Sequence, residues 1–419
     1  MQFKQQRRQT LKHLAAGAGA LALGKAVPAL AQQGTLKVAC VYPLSGPLAF
    51  QGTTSLKGVR LAVAQINRSG GVLGQKIELV ERDDKASPAE AALVGREILG
   101  SGIKFIVGGF LTAPSMAIIN LLQENNALYI LTGSQLMALT HENFNTHAFR
   151  ANVNGRMSLF AAGSAMPVAY PNVTKWGGIT PDVQFGHDNY KLFGLAVKKA
   201  YKEKLGKDIE FADPVLAPFP STDFKVQISR LMASPVEGIY VGVVGADFFT
   251  FMSQAKQLGL YNKIKVFVDA GQGVAIAKQL GPNLPKDNLW TSTPWYPQAK
   301  ETNAVSKALV KDWADTYKEP LDNAAWNGHT SMWALAHAIR NAKSLETPVV
   351  RVALERVEFE SANGPYRFRR EDHQGIANIN VLKLQQKAGD PGWEVGRVIT
   401  VKGEDVIEPA GPGQKYSEI

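Results

Sequence analysis

Residues 43–58, PLSGPLAFQGTTSLKG, set three glycines, several hydroxyls and a lysine between a short apolar run and an amphipathic one. A loop of this kind, feeding the start of a helix, offers free backbone N–H groups to an anion or polar ligand. A nucleotide phosphate loop needs GxxxxGK[ST], so that lysine reaches the terminal phosphates. Here five residues separate Gly46 from Gly52, and Thr53 stands where the lysine belongs. The stretch is therefore not a phosphate cradle. The remaining candidates for chemistry are sparse. His329 and His337 lie eight residues apart on a helix-like stretch, roughly one face, with none of the further ligands that a metal requires. Asp372-His373-Gln374 reads as a polar turn between two strands. HExxH, GxSxG and HxE…CxxC patterns are missing, and acid–base catalysis lacks a titratable pair. No catalytic residue, metal or cofactor is expected.

From residue 35 the chain alternates strand and helix patterns. TLKVACVY is apolar and β-branched, and then Leu56, Val59, Val63 and Ile66 recur on one helical face that Gly70-Gly71 ends. SPAEAALVGREIL opens with Ser87 as N-cap, Pro88 at N1 and Glu90 at N3. Short apolar strands separated by helices imply parallel sheets covered on both faces. The rhythm restarts after residue 153. Helical stretches follow at 302–318 and 323–343, and a strand-like tail at 364–386 needs an existing sheet to join. Ligands in such sheets sit beyond the strands' carboxyl ends. Those ends read PLSGPLAFQG, GGFLTAPS, LTGSQ, TPDVQFGHD, VGVVGADFF, VDAGQGVA and STPWYP. They are rich in Gly, Ser, Thr, Gln and aromatics and poor in charge, which suits binding through fixed dipoles and ring faces.

The chain has 419 residues and a formal charge of +10. Residues 1–31 hold Lys4, Arg7, Arg8, Lys12 and Lys25 and no acid, leaving 41 basic against 36 acidic side chains elsewhere. That remainder is an ordinary solvated surface, and no nucleic-acid partner is expected. The basic start, the apolar LAAGAGALALG and the small residues of Ala29-Leu30-Ala31 read as an export signal cleaved after Ala31, which predicts a periplasmic protein. Arg7-Arg8-x-x-Leu11-Lys12 resembles the twin-arginine variant, with Sec export as the alternative. The lone Cys40 falls in a strand pattern and reads as a buried, inert thiol.

The segment VYPLSGPLAFQGTTSLKGVRLAVAQINRSGGVLGQKIELVERDDKASPAEA resembles the N-terminal signature of the type I periplasmic binding proteins. Its nearest group is the leucine/isoleucine/valine-binding type that serves ABC importers. IKFIVGG, QFGHDNY and GIYVG carry the likeness across the mature chain. The resemblance implies an α/β fold of two Rossmann-like lobes with parallel sheets, joined by a three-strand hinge. It divides the chain into 1–31 (signal), 35–153 with 294–375 (N-terminal lobe) and 154–293 with 376–419 (C-terminal lobe). It also implies capture of a small-molecule ligand by hinge closure, delivery to an inner-membrane ABC permease, and a monomer. An extracytoplasmic sensor is the alternative, and a hydrolase a remote one.

Carried over by position, the resemblance nominates Phe50 and Gln51 in the first loop and Thr112 as a carboxylate-binding hydroxyl. Gly133, Ser134 and Gln135 follow, and Phe185 closes from the second lobe. Phe50, Phe185, Trp295 and Tyr296 would form an apolar wall, with packing at the hinge as the rival role for the last two. The acidic residue that receives an α-ammonium in amino-acid binders aligns with Gln272, three residues after Asp269. A buried cation needs an anionic partner, so the departure favours a carboxylate- or amide-bearing solute without an amine, unless Asp247 supplies the charge. The disulfide of some members is absent, with Ala86 and Leu111 near its positions.

Overall fold

The computed structural model describes residues 34–417, apart from 270, 300–302, 320 and 322–323. The expected export signal lies outside the described residues. β1 (Leu36–Tyr42), β2 (Ile77–Asp83), β3 (Phe105–Gly108), β4 (Leu128–Leu131) and β5 (Ala148–Arg150) form one sheet in the order β2-β1-β3-β4-β5. Every pairing in it is parallel. Side-chain alternation divides β1 between two cores. Val38, Cys40 and Tyr42 enter one cluster, while Ala39 and Val41 enter the cluster on the opposite face. A strand buried on both sides has to be apolar at every position, as VACVY is. Burial also pushes the Cys40 thiol up, so it stays protonated.

Three helices connect these strands. α1 (Ala49–Arg68) buries Leu56, Val59, Val63 and Ile66, as their spacing requires, and gives way to Gly70 and Gly71 at positive φ. α2 (Pro88–Gly100) starts at Ser87, whose hydroxyl accepts from the Glu90 N–H. α3 (Thr112–Ile119) follows β3.

The second sheet comes from the following segment. α4 (Gly155–Ala169) and β6 (Lys175–Pro181) lead to α5 (Gln184–Leu205), β7 (Glu210–Phe211), β8 (Val215–Ala217) and α6 (Lys225–Ala233). Next come β9 (Gly238–Val241), α7 (Ala246–Gln257), α8 (Leu260–Lys263), β10 (Val266–Asp269), α9 (Ala275–Leu280) and β11 (Leu289–Thr293). α6 begins only at Lys225, because Ser221 and Asp223 spend their side chains on turn hydrogen bonds to nearby N–H groups.

The late segment completes both cores. α10 (Ala304–Tyr317) and α11 (Ala324–Ala342) cover the first sheet, and α12 (Thr347–Leu354) leads to a three-stranded sheet of β12 (Glu358–Ser361), β13 (Gly364–Phe368) and β14 (Gly375–Ile376). β15 (Ile379–Gln386) and β16 (Trp393–Val401) join the second sheet antiparallel, giving the order β16-β15-β11-β10-β9-β6-β7, with β8 also on β6. We call the first sheet with its packed helices and the small sheet the first lobe, and the rest the second lobe. α11 lies on α1 at backbone contact. A Cβ on Gly58 would sit 2.1 Å from the Ala325 carbonyl oxygen, and one on Gly328 would sit 2.1 Å from that of Ser55.

Three segments pass between the lobes and hold one another. The Gln374 amide donates to Asn152 O at 2.8 Å, and the Tyr366 hydroxyl to Ala151 O at 3.0 Å. Asn363 donates to the carbonyls of Pro294 and Asn378. Among the described residues, no helix is long and apolar enough to cross a membrane.

Candidate functional site

The carboxyl ends of the parallel strands carry the nominated residues, lobe by lobe. In the first lobe, α1 starts against the loop that follows β1. A Cβ on Gly52 would lie 2.0 Å from the Pro43 carbonyl oxygen, so glycine is required for that approach. Asp83, ending β2, accepts from Leu44 N at 2.8 Å and pins the same loop. This start leaves Phe50 64% exposed, while Gln51 Oε1 is buried and has no hydrogen-bond partner among the described residues. Thr112 is the first residue of α3, where unpaired N–H groups and the helix dipole favour an anion. One turn on, Ser115 Oγ lies 3.2 Å from Ser134 Oγ. Gly133 N donates to Gly109 O at 3.0 Å, and a Cβ there would meet Phe110 Cα at 2.8 Å. Gln135 is exposed, and its carbonyl accepts from Gly155 N at 3.2 Å, which ties this loop to the start of α4.

The second lobe supplies rings and amides. Phe185, in the first turn of α5, is 41% exposed and meets Phe219 edge-to-face, with centroids 5.7 Å apart. Phe219 is a candidate site residue that sequence reasoning missed. It follows β8, a strand of three residues that is too short to show a pattern. Asp247, in the first turn of α7, is buried and accepts from Ser221 N at 2.9 Å. Gln272 Oε1 accepts from Gly245 N at 3.2 Å, while its Nε2 is buried without a partner among the described residues.

Asp269 is the second omission. It ends β10, fully buried, and its Oδ1 accepts from Gly271 N at 2.5 Å, Gln272 N at 3.2 Å and Thr291 Oγ1 at 3.1 Å. Thr291 in turn accepts from Gly273 N at 2.9 Å. The carboxyl group thus shapes the loop that presents Gln272. Its Oδ2 has no partner among the described residues, and burial pushes its pKa up to about 7.

Two nominated rings are enclosed. Trp295 is 1% exposed, belongs to the first-lobe core and donates its indole N–H to Ser306 Oγ at 3.2 Å. A buried ring with its polar atom satisfied is packing, not wall. Tyr296 is buried too, with its hydroxyl on Gln298. It lines a cavity of about 1230 Å³ between β13 and β16, to which none of the other nominated residues contributes. Both side chains follow the chain as it turns away from the tips after β11. The histidines pack as well. His329 is buried, donates to Gln65 Oε1 at 2.8 Å and is held neutral by burial, which pushes its pKa down to about 4. His337 stacks on Phe359 at 4.8 Å and His373 on Phe149 at 3.9 Å. Among the described residues, no group of three His, Cys, Asp or Glu is placed to hold a metal ion.

The tips therefore offer hydroxyls, amides, backbone N–H groups and rings. Of their carboxyl groups, Asp247 and Asp269 are buried and already hydrogen-bonded to loop N–H groups, while Asp182 is exposed beside His187 Nε2 at 2.9 Å. The arrangement can hold a small polar molecule by directed hydrogen bonds and cover an apolar portion with Phe50, Phe185 and Phe219.

Comparison with known proteins agrees with this geometry. The periplasmic binding protein family matches residues 35–390. The leucine-specific-binding protein of Salmonella typhimurium is 25% identical over 382 residues, covering 90% of this chain and 94% of the relative. Among solved structures, the leucine-, isoleucine-, valine-, threonine- and alanine-binding protein of Brucella ovis, in its closed conformation, superposes with a TM-score of 0.77 at 21% identity, covering 90% and 97% of the two chains. A solute-binding protein of an ABC transporter from Rhodopseudomonas palustris, in complex with 3,4-dihydroxybenzoic acid, gives 0.72 at 18% identity, covering 88% and 98%. Family match, sheet order and strand-tip chemistry converge: the chain belongs to the periplasmic binding protein family, among the type I members that group with the branched-chain amino acid binders.

Proposed function

We propose that this protein is the periplasmic solute receptor of an ABC importer, and that its solute carries a carboxylate or amide and no amine. Phe50, Gln51, Thr112, Gly133, Ser134 and Gln135 contact it from the first lobe. Phe185, Phe219, Gln272 and the N-terminus of α7 at Asp247 contact it from the second. Closure about the three crossing segments buries the solute, and the closed form docks on a membrane permease. Binding leaves the solute chemically unchanged. The leader is removed after Ala31, and the receptor works as a monomer.

One observation carries the solute class: at the position expected to meet an α-ammonium, Gln272 turns a buried, unpartnered N–H toward no acceptor. A buried donor left unpaired is costly, and a ligand oxygen would satisfy it whereas an ammonium would not. The aromatic acid held by the Rhodopseudomonas palustris protein is a solute of this class in the same fold. Thermal-shift screening against amino acids, their deaminated analogues, aromatic acids and amides tests the reading. Ligand at ~100 times its dissociation constant adds about 2.7 kcal/mol. A response to at least one amine-free carboxylate or amide is expected, and Gln272→Glu should gain response to leucine or valine. If leucine or valine stabilises the unmodified protein and the deaminated analogues do not, the assignment is wrong.

A further inference from the structure

The chain crosses between the lobes a fourth time, beyond residue 390, where the family match ends. After β16 a short turn, Gly403–Asp405, leads to Val406, which is packed in the second-lobe core. The Val406 carbonyl accepts from Arg156 at the start of α4. Glu408 is 1% exposed, and its carboxylate accepts from Asn154 Nδ2 at 2.8 and 2.9 Å. Asn154 is itself the N-cap of α4, with Oδ1 on Met157 N at 2.8 Å. On its other side Glu408 faces Arg369 at 3.6 Å, and its carbonyl accepts from the same guanidinium. Arg369 follows β13 in the first lobe and is paired with Asp372 at 2.5 Å. One buried carboxylate thus joins the cap of a second-lobe helix to an ion pair of the first lobe.

The chain then fastens to the first lobe. Gly413 N donates to His141 O at 2.8 Å, and the Tyr416 ring, packed at the edge of the second-lobe core, meets the His141 ring edge-to-face at 5.1 Å. Tyr416 N donates to Glu142 Oε2 at 3.3 Å. His141 and Glu142 lie between β4 and β5, in the loop that begins at the Ser134 tip. From Val406 to Gly413 the chain can span no more than ~25 Å when fully extended. Breaking a buried ion pair on one side is strongly destabilising. Any rotation that carries His141 beyond that reach of Val406 must therefore stretch or strip this segment.

We propose that residues 406–416 act as a strap that limits how far the two lobes swing apart, and that Glu408 is its positioning residue. By trimming the widest-open conformers, the strap raises the fraction of molecules competent to close, and apparent affinity scales with that fraction. The proposal concerns the empty protein, so it can fail while the assigned solute class stands.

The test needs no solute. Spin labels at Arg96→Cys and Lys198→Cys, both exposed and on opposite lobes, report the interlobe distance by pulsed electron resonance, since buried Cys40 stays unlabelled. Deleting residues 410–419 should shift the distance distribution to longer values and broaden it, and Glu408→Gln should move it the same way by less. If the truncated chain melts without cooperativity, Tyr416→Ala, which leaves Val406 and the Glu408 contacts in place, replaces it with the same expectation. Unchanged distributions in cooperatively folded variants would overturn the proposal. So would a shift to shorter distances, which would mean that the segment props the lobes apart.

Discussion

Asp269→Asn isolates the most perturbed acid among the strand tips. In the folded chain burial holds this carboxyl at about 7, while an unfolded chain titrates it near ~3.9. Between those values the native state keeps a proton that the unfolded state has lost. The unfolded state binds fewer protons there, so the contribution to stability falls as pH rises through the window and levels off above about 7. The two values lie roughly three pH units apart, and at ~1.36 kcal/mol each the ceiling is about 4 kcal/mol. Asparagine keeps an oxygen for the three donors on Oδ1 and never ionises. Urea melts of both proteins at a series of pH values, read as the difference in unfolding free energy, give the answer. The asparagine variant should gain on the parent steadily from pH 4 to pH 8, by about 2–4 kcal/mol in total. A difference that stays flat with pH would show that the three hydrogen bonds to Oδ1 offset the burial. A difference that moves the other way would show that they outweigh it. Either result refutes the reasoning.

Three further outcomes are expected. Gly328→Ala drives a methyl into the Ser55 carbonyl and should cost about 1–3 kcal/mol or more in chemical denaturation, whereas Gly100→Ala, with nothing within 4 Å of the new carbon, should cost nothing. Ser87→Ala removes the cap of α2 and should lower stability by about 1 kcal/mol in the same assay. Phe219→Ala takes away the ring partner of Phe185 but little buried surface, so calorimetry with benzoate-type acids should show weaker binding while the melting temperature of the empty protein stays nearly constant.

What could be read from the sequence was what local physics encodes. The spacing of Leu56, Val59, Val63 and Ile66, the Ser87 cap and the apolar run of β1 each depend on near neighbours, and each forms as its pattern requires. The family resemblance is matched by the same parallel sheets, to which the second adds the antiparallel strands β15 and β16. What escaped depends on distant partners or very short elements. β7 and β8 have two and three residues, too few for periodicity, so Phe219 went unnoticed. The task of Asp269 is set by Thr291, 22 residues on, and Glu408 finds Asn154 across 254. Trp295 has the composition of a wall residue, and only the position of α10 shows that its ring is enclosed.

The core that α11 closes has a consequence for synthesis. Val38 and Phe105 share one apolar cluster with Trp326, Leu335 and Tyr366, so almost the entire polypeptide must emerge before that cluster can be sealed. A nascent chain halted near residue 290 would carry a finished set of parallel strands with one greasy side bare, the sort of surface that chaperones hold and that aggregates in their absence. Maturation of the earliest-made half thus waits on the last-made quarter, and ribosome-stalled fragments of this protein should become protease-resistant late and abruptly rather than half by half.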